Sequence, residues 1–260
     1  MTKILLLGCG NMGGALLKAW AEKSDHDLTV ADPAELVLPD GVRQIRSVDE
    51  LDPALFDTLI VALKPQMIDA VLPAYIARLD PVGTISSIAA GYSSARLAAH
   101  APGRSVIRIM PNLPAVIGKG MSGLYAHGTV PAAASQEIEF LAACSGATIW
   151  VESEDMLDRL TAVAGSGPGY IFEMLRAYSG AAKALGFSDA DAQKLVLGTV
   201  QGALELAQQS DQSLEQLRNS VTSKGGTTAA GLRALNGSEQ FSQLIGETLQ
   251  SAYQRAVELR

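Results

Sequence analysis

The chain has 260 residues, of which 48% are hydrophobic and 18% charged, enough to bury a core in one large domain or two smaller ones. Its net charge of -7 argues against a nucleic-acid surface or a polybasic membrane anchor, and no apolar run approaches the roughly 18 residues of a membrane span. Two cysteines exclude a disulfide framework, the opening MTKILLLGCG is too short for a signal peptide, and the three histidines lack metal-ligand spacing. We therefore expect a cytoplasmic protein without a metal, a nucleic-acid partner or a membrane partner.

The first predicted elements form a nucleotide-binding pattern. An apolar run over residues 4–7 predicts a strand buried on both faces, and a GxGxxG loop, an amphipathic helix and a strand over residues 28–31 follow. That strand ends in Asp32 and Pro33. The members of the glycine loop are Gly8, Cys9, Gly10, Asn11, Met12 and Gly13. This order, with an acid about 20 residues after the glycines, is typical of a Rossmann unit; the alternative is a glycine-rich turn in a non-binding α/β domain.

The residues after the second strand leave the choice of coenzyme open. An acid such as Asp32 usually accepts the ribose 2′-OH of NAD and repels the 2′-phosphate of NADP. Asp32 and Pro33 are equally compatible with a simple turn. Arg43 and Arg46 lie downstream and could approach a 2′-phosphate. The sequence therefore predicts NADP or NAD without choosing between them.

Later apolar runs extend the predicted sheet. Five further strands are expected, over residues 59–63, 84–88, 106–109, 121–125 and 148–151. Lys64 and Pro65 follow the first of these strands, where the carboxyl ends of parallel strands line a ligand crevice. Lys64 either faces the coenzyme or is a solvated lysine. The turn Ala89-Ala90-Gly91 follows the next strand and either leaves room for a nicotinamide ring or is a plain tight turn.

The second half of the chain reads as entirely helical. Strand signals stop after Glu152, which predicts a dinucleotide-binding domain over residues 1–152 and a helical domain over residues 153–260. The glycines and proline of residues 165–170 predict either two helices with a sharp bend or one kinked helix. Ser213 with Gln216 predicts a capping box, and Ser188 and Ser238 are predicted helix caps. The broad apolar helix faces predict a homodimer through these helices, with a higher assembly of dimers left open.

The stretch VTSKGGTTAAG, residues 221–231, combines hydroxyls and glycines just before a predicted helix. Free N–H groups at a helix start favour a negative charge, so Gly225, Gly226 and Thr227 could hold a carboxylate or phosphate on backbone donors. Thr228 could then offer its hydroxyl to a second atom of the same ligand. The alternative is a Ser/Thr-rich cap with a flexible entry.

Taken together, these motifs resemble the pyrroline-5-carboxylate reductase family over essentially the whole chain. The resemblance depends on six segments in order: GCGNMGGA, VALKPQ, SIAAG, RIMPNLP, AGSGPGY and VTSKGGTTAAGL. It implies an N-terminal Rossmann domain with a mostly parallel sheet, an all-α C-terminal dimerisation domain, and a site between them. It also implies a small imino-acid substrate and a reduced NADP or NAD coenzyme.

The resemblance assigns roles to individual positions. Besides the glycine loop, the implied coenzyme-binding residues are Asp32, Pro33, Ala62, Leu63, Lys64, Pro65, Ala89, Ala90, Gly91 and Ser220. The implied substrate-binding residues are Glu154, Ser223, Lys224, Gly225, Gly226, Thr227 and Thr228. Three residues depart from the usual family pattern: Leu113 in MPNLP, Gly169 in GSGPGY and Lys224 in SKGG. Lys224 adds a positive charge that either helps to hold a carboxylate or is simply exposed.

The implied reaction transfers hydride from C4 of the nicotinamide to C5 of the cyclic imine and gives L-proline. A protonated imine is already reactive, so the enzyme need only hold two rings at near-attack distance, and the sequence needs no catalytic His, Cys or carboxylate pair. Thr228 is the predicted catalytic residue that orients the nitrogen and its proton. The rival hypotheses are a related dehydrogenase of 3-hydroxyacid type, disfavoured because residues 167–176 lack a lysine, and a non-catalytic NAD(P)-binding protein.

Overall fold

The computed structural model describes residues 1–51 and 54–260. Within these residues, packing separates two units, Met1–Pro168 together with Ser251–Arg260, and Gly169–Gln250. The last strand ends at Trp150, so strands give way to helices close to the predicted boundary between residues 152 and 153. The assignment of separate functional domains at that boundary stays a prediction.

The first unit contains one sheet of eight strands among the described residues. The strands are β1 (Lys3–Leu7), β2 (Asp27–Ala31), β3 (Arg43–Ile45), β4 (Phe56–Val61), β5 (Leu79–Ser87), β6 (Ser105–Met110), β7 (Gly120–His127) and β8 (Gly146–Trp150). Their order is β3-β2-β1-β4-β5-β6-β7-β8, and only the β6–β7 pair is antiparallel. This mostly parallel sheet confirms the predicted fold class. The strand order reverses between β1 and β4, which makes that edge the expected ligand crevice.

Both faces of the sheet are buried. Side chains alternate along a strand, so Leu5 and Leu7 of β1 belong to one hydrophobic core and Ile4 and Leu6 to the other. Trp20 lies in the second core and donates its indole N–H to the carbonyl of Leu141 at 2.8 Å. Two apolar faces on one strand explain why β1 reads as a continuous hydrophobic run.

Helices cover the two faces of the sheet. Those of the first unit are α1 (Asn11–Lys23), α2 (Pro65–Ile76), α3 (Ser94–His100), α4 (Ala132–Ala143) and α5 (Glu154–Leu160). Helices α1 and α4 bury Trp20 and Leu141 in one core, and α2 and α3 bury Leu72 and Leu97 in the other. The sequence reading missed β3, α2 and α3. Strand β3 has only three residues, two of them polar, so its periodicity carries almost no signal.

The remaining helices are α6 (Gly167–Ala184), α7 (Asp189–Gln209), α8 (Leu214–Ser220), α9 (Thr227–Asn236) and α10 (Gln240–Leu259). The predicted caps at Ser188 and Ser213 are confirmed, the latter as a complete capping box with Gln216. The cap predicted at Ser238 is wrong. Helix α10 begins only at Gln240, after Glu239 turns with a φ of 61°, and Asn236 Oδ1 accepts the N–H of Ser242 instead.

The second unit has little core of its own. Its buried hydrophobic cluster, as far as the structure describes it, consists of Ala182, Ala192 and Val196 with Leu175 packed against them. Large apolar side chains are exposed instead, including Phe172 at 56% and Leu206 at 58%. Apolar faces of this kind mark a surface that another molecule covers. None of the described helices is long and apolar enough to span a lipid bilayer.

Candidate active site

The predicted coenzyme residues of the first unit lie along one edge of the sheet. The loop that begins at Gly8 follows β1, and Ala62 follows the adjacent β4. The N–H of Gly8 donates to the carbonyl of Ala31 at 2.9 Å, and the N–H of Ala62 donates to that of Leu7 at 2.8 Å. These bonds extend the ladder past the strand ends. The crevice at the switch point therefore contains both segments.

The glycine loop leaves the start of α1 open for an anion. Gly10 is the N-cap, no side chain caps the helix, and its first turn has no acidic residue. A Cβ added to Gly10 would meet no atom within 4 Å. Gly8 has a φ of 93°, and a Cβ there would lie 2.9 Å from the carbonyl oxygen of Ala62. The open space and the unsatisfied helix N–H groups fit a dinucleotide pyrophosphate.

Gly13 is needed for the close approach of α1 to this crevice. A Cβ at Gly13 would lie 2.8 Å from the oxygen of Gly8 and 3.0 Å from Cβ of Ala62. We expect Gly13→Ala to lower the free energy of unfolding by about 1–3 kcal/mol, since it overpacks this contact. We also expect it to weaken NADPH binding, because the shift displaces the loop. Urea unfolding and calorimetric titration measure the two effects.

The neighbouring glycine supplies the control. A Cβ at Gly14 would lie 3.6 Å from Sγ of Cys9, an ordinary contact. Gly14→Ala should therefore leave NADPH binding unchanged and raise stability by about 0.5–1 kcal/mol through helix propensity. Equal effects of the two substitutions would contradict the close-approach role of Gly13.

Asp32 braces the glycine loop from the end of β2. Its Oδ2 accepts the N–H of Cys9 at 2.7 Å, and its Oδ1 accepts the N–H of Ala34 at 2.9 Å. Burial, and secondly the charge of Asp32, raise the pKa of the Cys9 thiol. Gln44 donates to the carbonyl oxygens of Asp32 and Ala34, which fixes the turn. Asp32 thus joins the glycine loop to its own turn through its two carboxylate oxygens. Pro33 beside it is exposed.

Two further turns complete this edge. Strand β4 ends at Val61, two residues before the predicted end, so that Ala62 and Leu63 lie in the turn. Lys64 is the exposed N-cap of α2, and Pro65 is in its first turn. After β5, Ala89 is buried and Ala90 exposed. Gly91 has a φ of 71°, and a Cβ there would lie 2.8 Å from the carbonyl oxygen of Leu259. The turn after β5 is therefore tightly enclosed on one side and open on the other.

A buried ion pair supports that turn, and the sequence reading missed its cation. Arg108 of β6 is only 2% exposed and donates to Oε1 of Glu154 at 2.9 Å and to the carbonyl of Ala89 at 3.1 Å. Ser94 donates its N–H and its hydroxyl to the two carboxylate oxygens of Glu154, at 2.7 and 2.8 Å. His127 Nδ1 lies 3.0 Å from the Ser94 hydroxyl. The sequence did contain a signal for the role of Arg108, because a charged residue inside the apolar run VIRI indicates a buried charge that has a partner.

The ion pair sets the ionisation of Glu154. Burial by itself raises its pKa, but the hydrogen bonds from Ser94 and the Arg108 guanidinium outweigh burial and hold the pKa below its ordinary value of 4.5. A depressed folded-state pKa stabilises the fold above pH 4.5, and that stabilisation is lost as the pH falls through the folded-state pKa. We therefore expect the free energy of unfolding to fall more steeply below pH 4.5 in the parent protein than in Glu154→Gln. Urea unfolding at pH values on both sides of 4.5 measures the difference, and parallel curves would refute it.

Asn112 of the MPNLP motif and Ala164 of the AGSGPG motif meet in the first unit. Residues Thr161–Gly165 form a π-helical turn that continues from α5 and leads through Ser166 into α6. Pro168 has no N–H to donate to the carbonyl four residues before it, that of Ala164. Asn112 donates its amide to that carbonyl at 3.0 Å and accepts the N–H of Met121 at 2.9 Å. Of the two predicted alternatives, two helices with a sharp bend or one kinked helix, neither is singled out: a π-helical turn and a bend at Ser166 separate α5 from α6.

The Gly-Gly segment lies in the second unit. Gly225 has a φ of 75°, and Gly226 is the N-cap of α9 without any side-chain cap. Thr227 and Thr228 are the first two residues of α9, whose first turn has no acidic residue. Backbone N–H groups at this end can bind a carboxylate. The exposed Ser223 and Lys224 precede the turn. Ser220, the last residue of α8, donates its hydroxyl to the carbonyl of Leu217 at 2.8 Å.

The first unit therefore brings together the glycine loop, the turns after β2, β4 and β5, and Glu154, whereas the Gly-Gly segment and Ser220 belong to the second unit. Within residues 1–51 and 54–260, no three His, Cys, Asp or Glu side chains form a group that could hold a metal ion. The predicted absence of a metal, like the individual binding roles, stays a prediction.

Known protein families match both the first and the second half of this chain. A family model described as pyrroline-5-carboxylate reductase dimerisation matches residues 154–259, and one described as NADP oxidoreductase coenzyme F420-dependent matches residues 3–91. The pyrroline-5-carboxylate reductase of Pseudomonas aeruginosa is 34% identical over 265 residues, covering 99% of this chain and 96% of the relative. The chain belongs to the pyrroline-5-carboxylate reductase family. The family predicted from the sequence motifs is confirmed.

Other members of the pyrroline-5-carboxylate reductase family agree. The reductase of Synechocystis sp. is 34% identical, covering 95% of this chain and 96% of the relative. A solved pyrroline-5-carboxylate reductase from Coxiella burnetii has a TM-score of 0.89 and 29% identity, covering 99% of this chain and 98% of the other. The Plasmodium falciparum pyrroline carboxylate reductase, solved with NADP bound, has a TM-score of 0.86 at 24% identity and the same coverage. The last comparison supports the fold.

Proposed function

We propose that this chain reduces 1-pyrroline-5-carboxylate to L-proline with NADPH or NADH. The observation that carries the proposal is that one chain of this family has both an open helix start at the switch point of its sheet and an uncapped Gly-Gly helix start in its helical half. The first fits a dinucleotide and the second a small carboxylate. The predicted classification as an NAD(P)H-dependent oxidoreductase is confirmed by the named relatives over the full length of the chain.

The first unit supplies the coenzyme site in this proposal. The N–H groups at the start of α1 hold the pyrophosphate, and Gly10 leaves the space for it. Asp32 and Pro33 lie at the adenosine end, with Ala62, Leu63, Lys64 and Pro65 beside the ribose and phosphates. The open Ala90 side of the turn after β5 faces the nicotinamide ring. When bound, the reduced nicotinamide supplies the hydride.

The second unit holds the substrate. Backbone N–H groups of Gly225, Gly226 and Thr227 bind its carboxylate, and Lys224 adds a positive charge nearby. Thr228 presents its hydroxyl to the ring nitrogen and holds the proton there. The substrate carbon takes the hydride while its nitrogen carries the proton, so the C=N bond becomes a C–N bond with no change in the protein. Ser220 is proposed on the coenzyme side and Glu154 near the substrate, as the family resemblance implies.

The same family match supports a homodimer. The dimerisation model covers residues 154–259, and this region exposes large apolar side chains on α6 and α7. Burying such faces against a second copy would supply the core that the second unit lacks. We propose a homodimer that forms through the C-terminal helices. Light scattering measures the molar mass of the assembly, and so tests both the dimer and any higher assembly of dimers. A cytoplasmic location stays a prediction.

The proposed reaction is tested by following the loss of reduced-nicotinamide absorbance after mixing the protein with 1-pyrroline-5-carboxylate. NADPH and NADH are run in parallel, since Asp32 leaves the preference open. Turnover that yields proline supports the proposal. Oxidation of a 3-hydroxyacid by the oxidised coenzyme would instead favour the related dehydrogenase, and coenzyme binding without any turnover would favour a non-catalytic binding protein.

A further inference from the structure

We propose that Arg108 is a positioning residue that aligns the nicotinamide-facing turn after β5 with helix α5. This inference rests on the proposed function, because it takes Ala89-Ala90-Gly91 as the turn that receives the nicotinamide. It goes beyond the family resemblance, which assigns no role to Arg108 or to Ser94. The evidence is the set of contacts that Arg108 makes inside the first unit.

Arg108 is built to hold two elements at once. Nη1 donates to Glu154 at the start of α5, and Nη2 donates to the carbonyl of Ala89 in the turn. The planar guanidinium fixes the angle between these two donors. The side chain is 2% exposed and comes from β6, next to β5 in the sheet, so it cannot swing away. Its head group therefore sets the distance from α5 to the turn.

Glu154 and Ser94 close this arrangement into a clamp. Ser94 is the first residue of α3, the helix that follows the turn, and it binds both carboxylate oxygens of Glu154. The turn is thus held on its entry side through the Ala89 carbonyl and on its exit side through Ser94. On the far side, Gly91 packs directly against Leu259. Ala90 is the exposed residue of the turn. It lies between the two fixed ends, so its position relative to the proposed nicotinamide site is fixed.

A structural arginine elsewhere in the sheet provides the comparison. Arg104 donates to the carbonyls of Asp80 and Leu79 at 3.2 and 3.1 Å. Like Arg108 it donates to two acceptors, but both are backbone carbonyls and lie at the opposite end of β5 from the turn. Arg104→Lys also removes two guanidinium donors, here Nε and Nη2, without touching the expected coenzyme edge. It is therefore the matched control for Arg108→Lys.

The test separates the two halves of the coenzyme. Calorimetry measures the dissociation constants of NADPH and of 2′,5′-ADP, which lacks the nicotinamide half; NADH and ADP replace them if NADH binds more tightly. Lysine keeps the charge beside Glu154 but cannot reach both acceptors with a rigid fork. For Arg108→Lys we expect kcat to fall by about 10-fold to 100-fold, since small misplacement of the ring has effects of this size. We expect the dissociation constant of NADPH to rise and that of 2′,5′-ADP to stay unchanged.

Ser94→Ala, which keeps the N–H bond to Glu154, should give a smaller change of the same pattern, and Arg104→Lys should give none. Parallel weakening of NADPH and 2′,5′-ADP would overturn the inference, and so would unchanged kcat and NADPH binding in Arg108→Lys. If Arg108→Lys does not fold, Ser94→Ala alone decides by the same criteria. Failure of the parent protein to reduce 1-pyrroline-5-carboxylate would refute the proposed function, whereas the binding measurements still decide the role of Arg108.

Discussion

Replacing Thr228 by alanine is expected to lower kcat for the reduction of 1-pyrroline-5-carboxylate by about 100-fold, because the ring nitrogen and its proton lose the hydroxyl that orients them, and misplacement of reacting groups has effects of this size. The dissociation constant of NADPH should not change. Thr228 is the second residue of α9, and among the described residues its hydroxyl has no hydrogen-bond partner, so it remains available to a ligand. Alanine is also a better helix former than threonine, so the fold should not be weakened. Steady-state kinetics and calorimetric titration measure both quantities.

Two matched variants define what this result means. Thr227→Ala removes a hydroxyl one residue earlier in the same turn but keeps the backbone N–H that is proposed to bind the carboxylate, so its kcat should stay close to that of the parent. Thr228→Ser keeps a hydroxyl and should restore most of the lost turnover. If Thr228→Ala loses NADPH binding in proportion to its activity, the hydroxyl does not have the proposed role.

Replacing Arg108 by methionine is expected to lower the free energy of unfolding by about 3–5 kcal/mol, because it leaves Glu154 without its buried counter-charge. This loss is larger than the one expected for Gly13→Ala. The Glu154 side chain is 16% exposed, and within residues 1–51 and 54–260 Ser94 would remain the only residue that donates hydrogen bonds to it. Urea unfolding at neutral pH, where the carboxylate is ionised, measures the loss.

Removing one partner of a buried pair is far more costly than removing both charges, so Arg108→Met with Glu154→Gln should recover a large part of the lost stability. Arg104→Met serves as the control, because Arg104 bonds carbonyls and no carboxylate. Losses that simply add in the double variant would show that Arg108 and Glu154 do not act as a pair.

Local sequence patterns predicted several elements of the fold. Continuous apolar runs marked β1 and β4, because strands covered on both faces must be hydrophobic throughout. The glycine loop was recognisable because Gly8 and Gly13 stand where a Cβ would collide with the neighbouring strand end. The capping box at Ser213 was equally local, since both of its bonds join residues three apart.

Other features were beyond the reach of such patterns. The cap at Ser238 was predicted wrongly because the chain turns at Glu239 and Asn236 supplies the bond instead. The partnership of Asn112 with Ala164 joins residues 52 positions apart, and nothing in either motif names the other. The role of Arg108 was likewise hidden, since its acceptors lie 19 and 46 positions away in the chain.

The sequence by itself determined the family, the mostly parallel sheet and the class of reaction, and it predicted a coenzyme edge. These follow from glycines, apolar runs and helix starts whose physical reasons are local to a few neighbouring residues. Only the tertiary structure decided that Arg108 binds Glu154 and Ala89, that Asp32 braces the glycine loop, and that Thr161–Gly165 form a π-helical turn. The reason is that a buried polar group must be satisfied by whatever partner the packing of distant strands brings within about 3 Å, and spacing along the chain does not specify that partner.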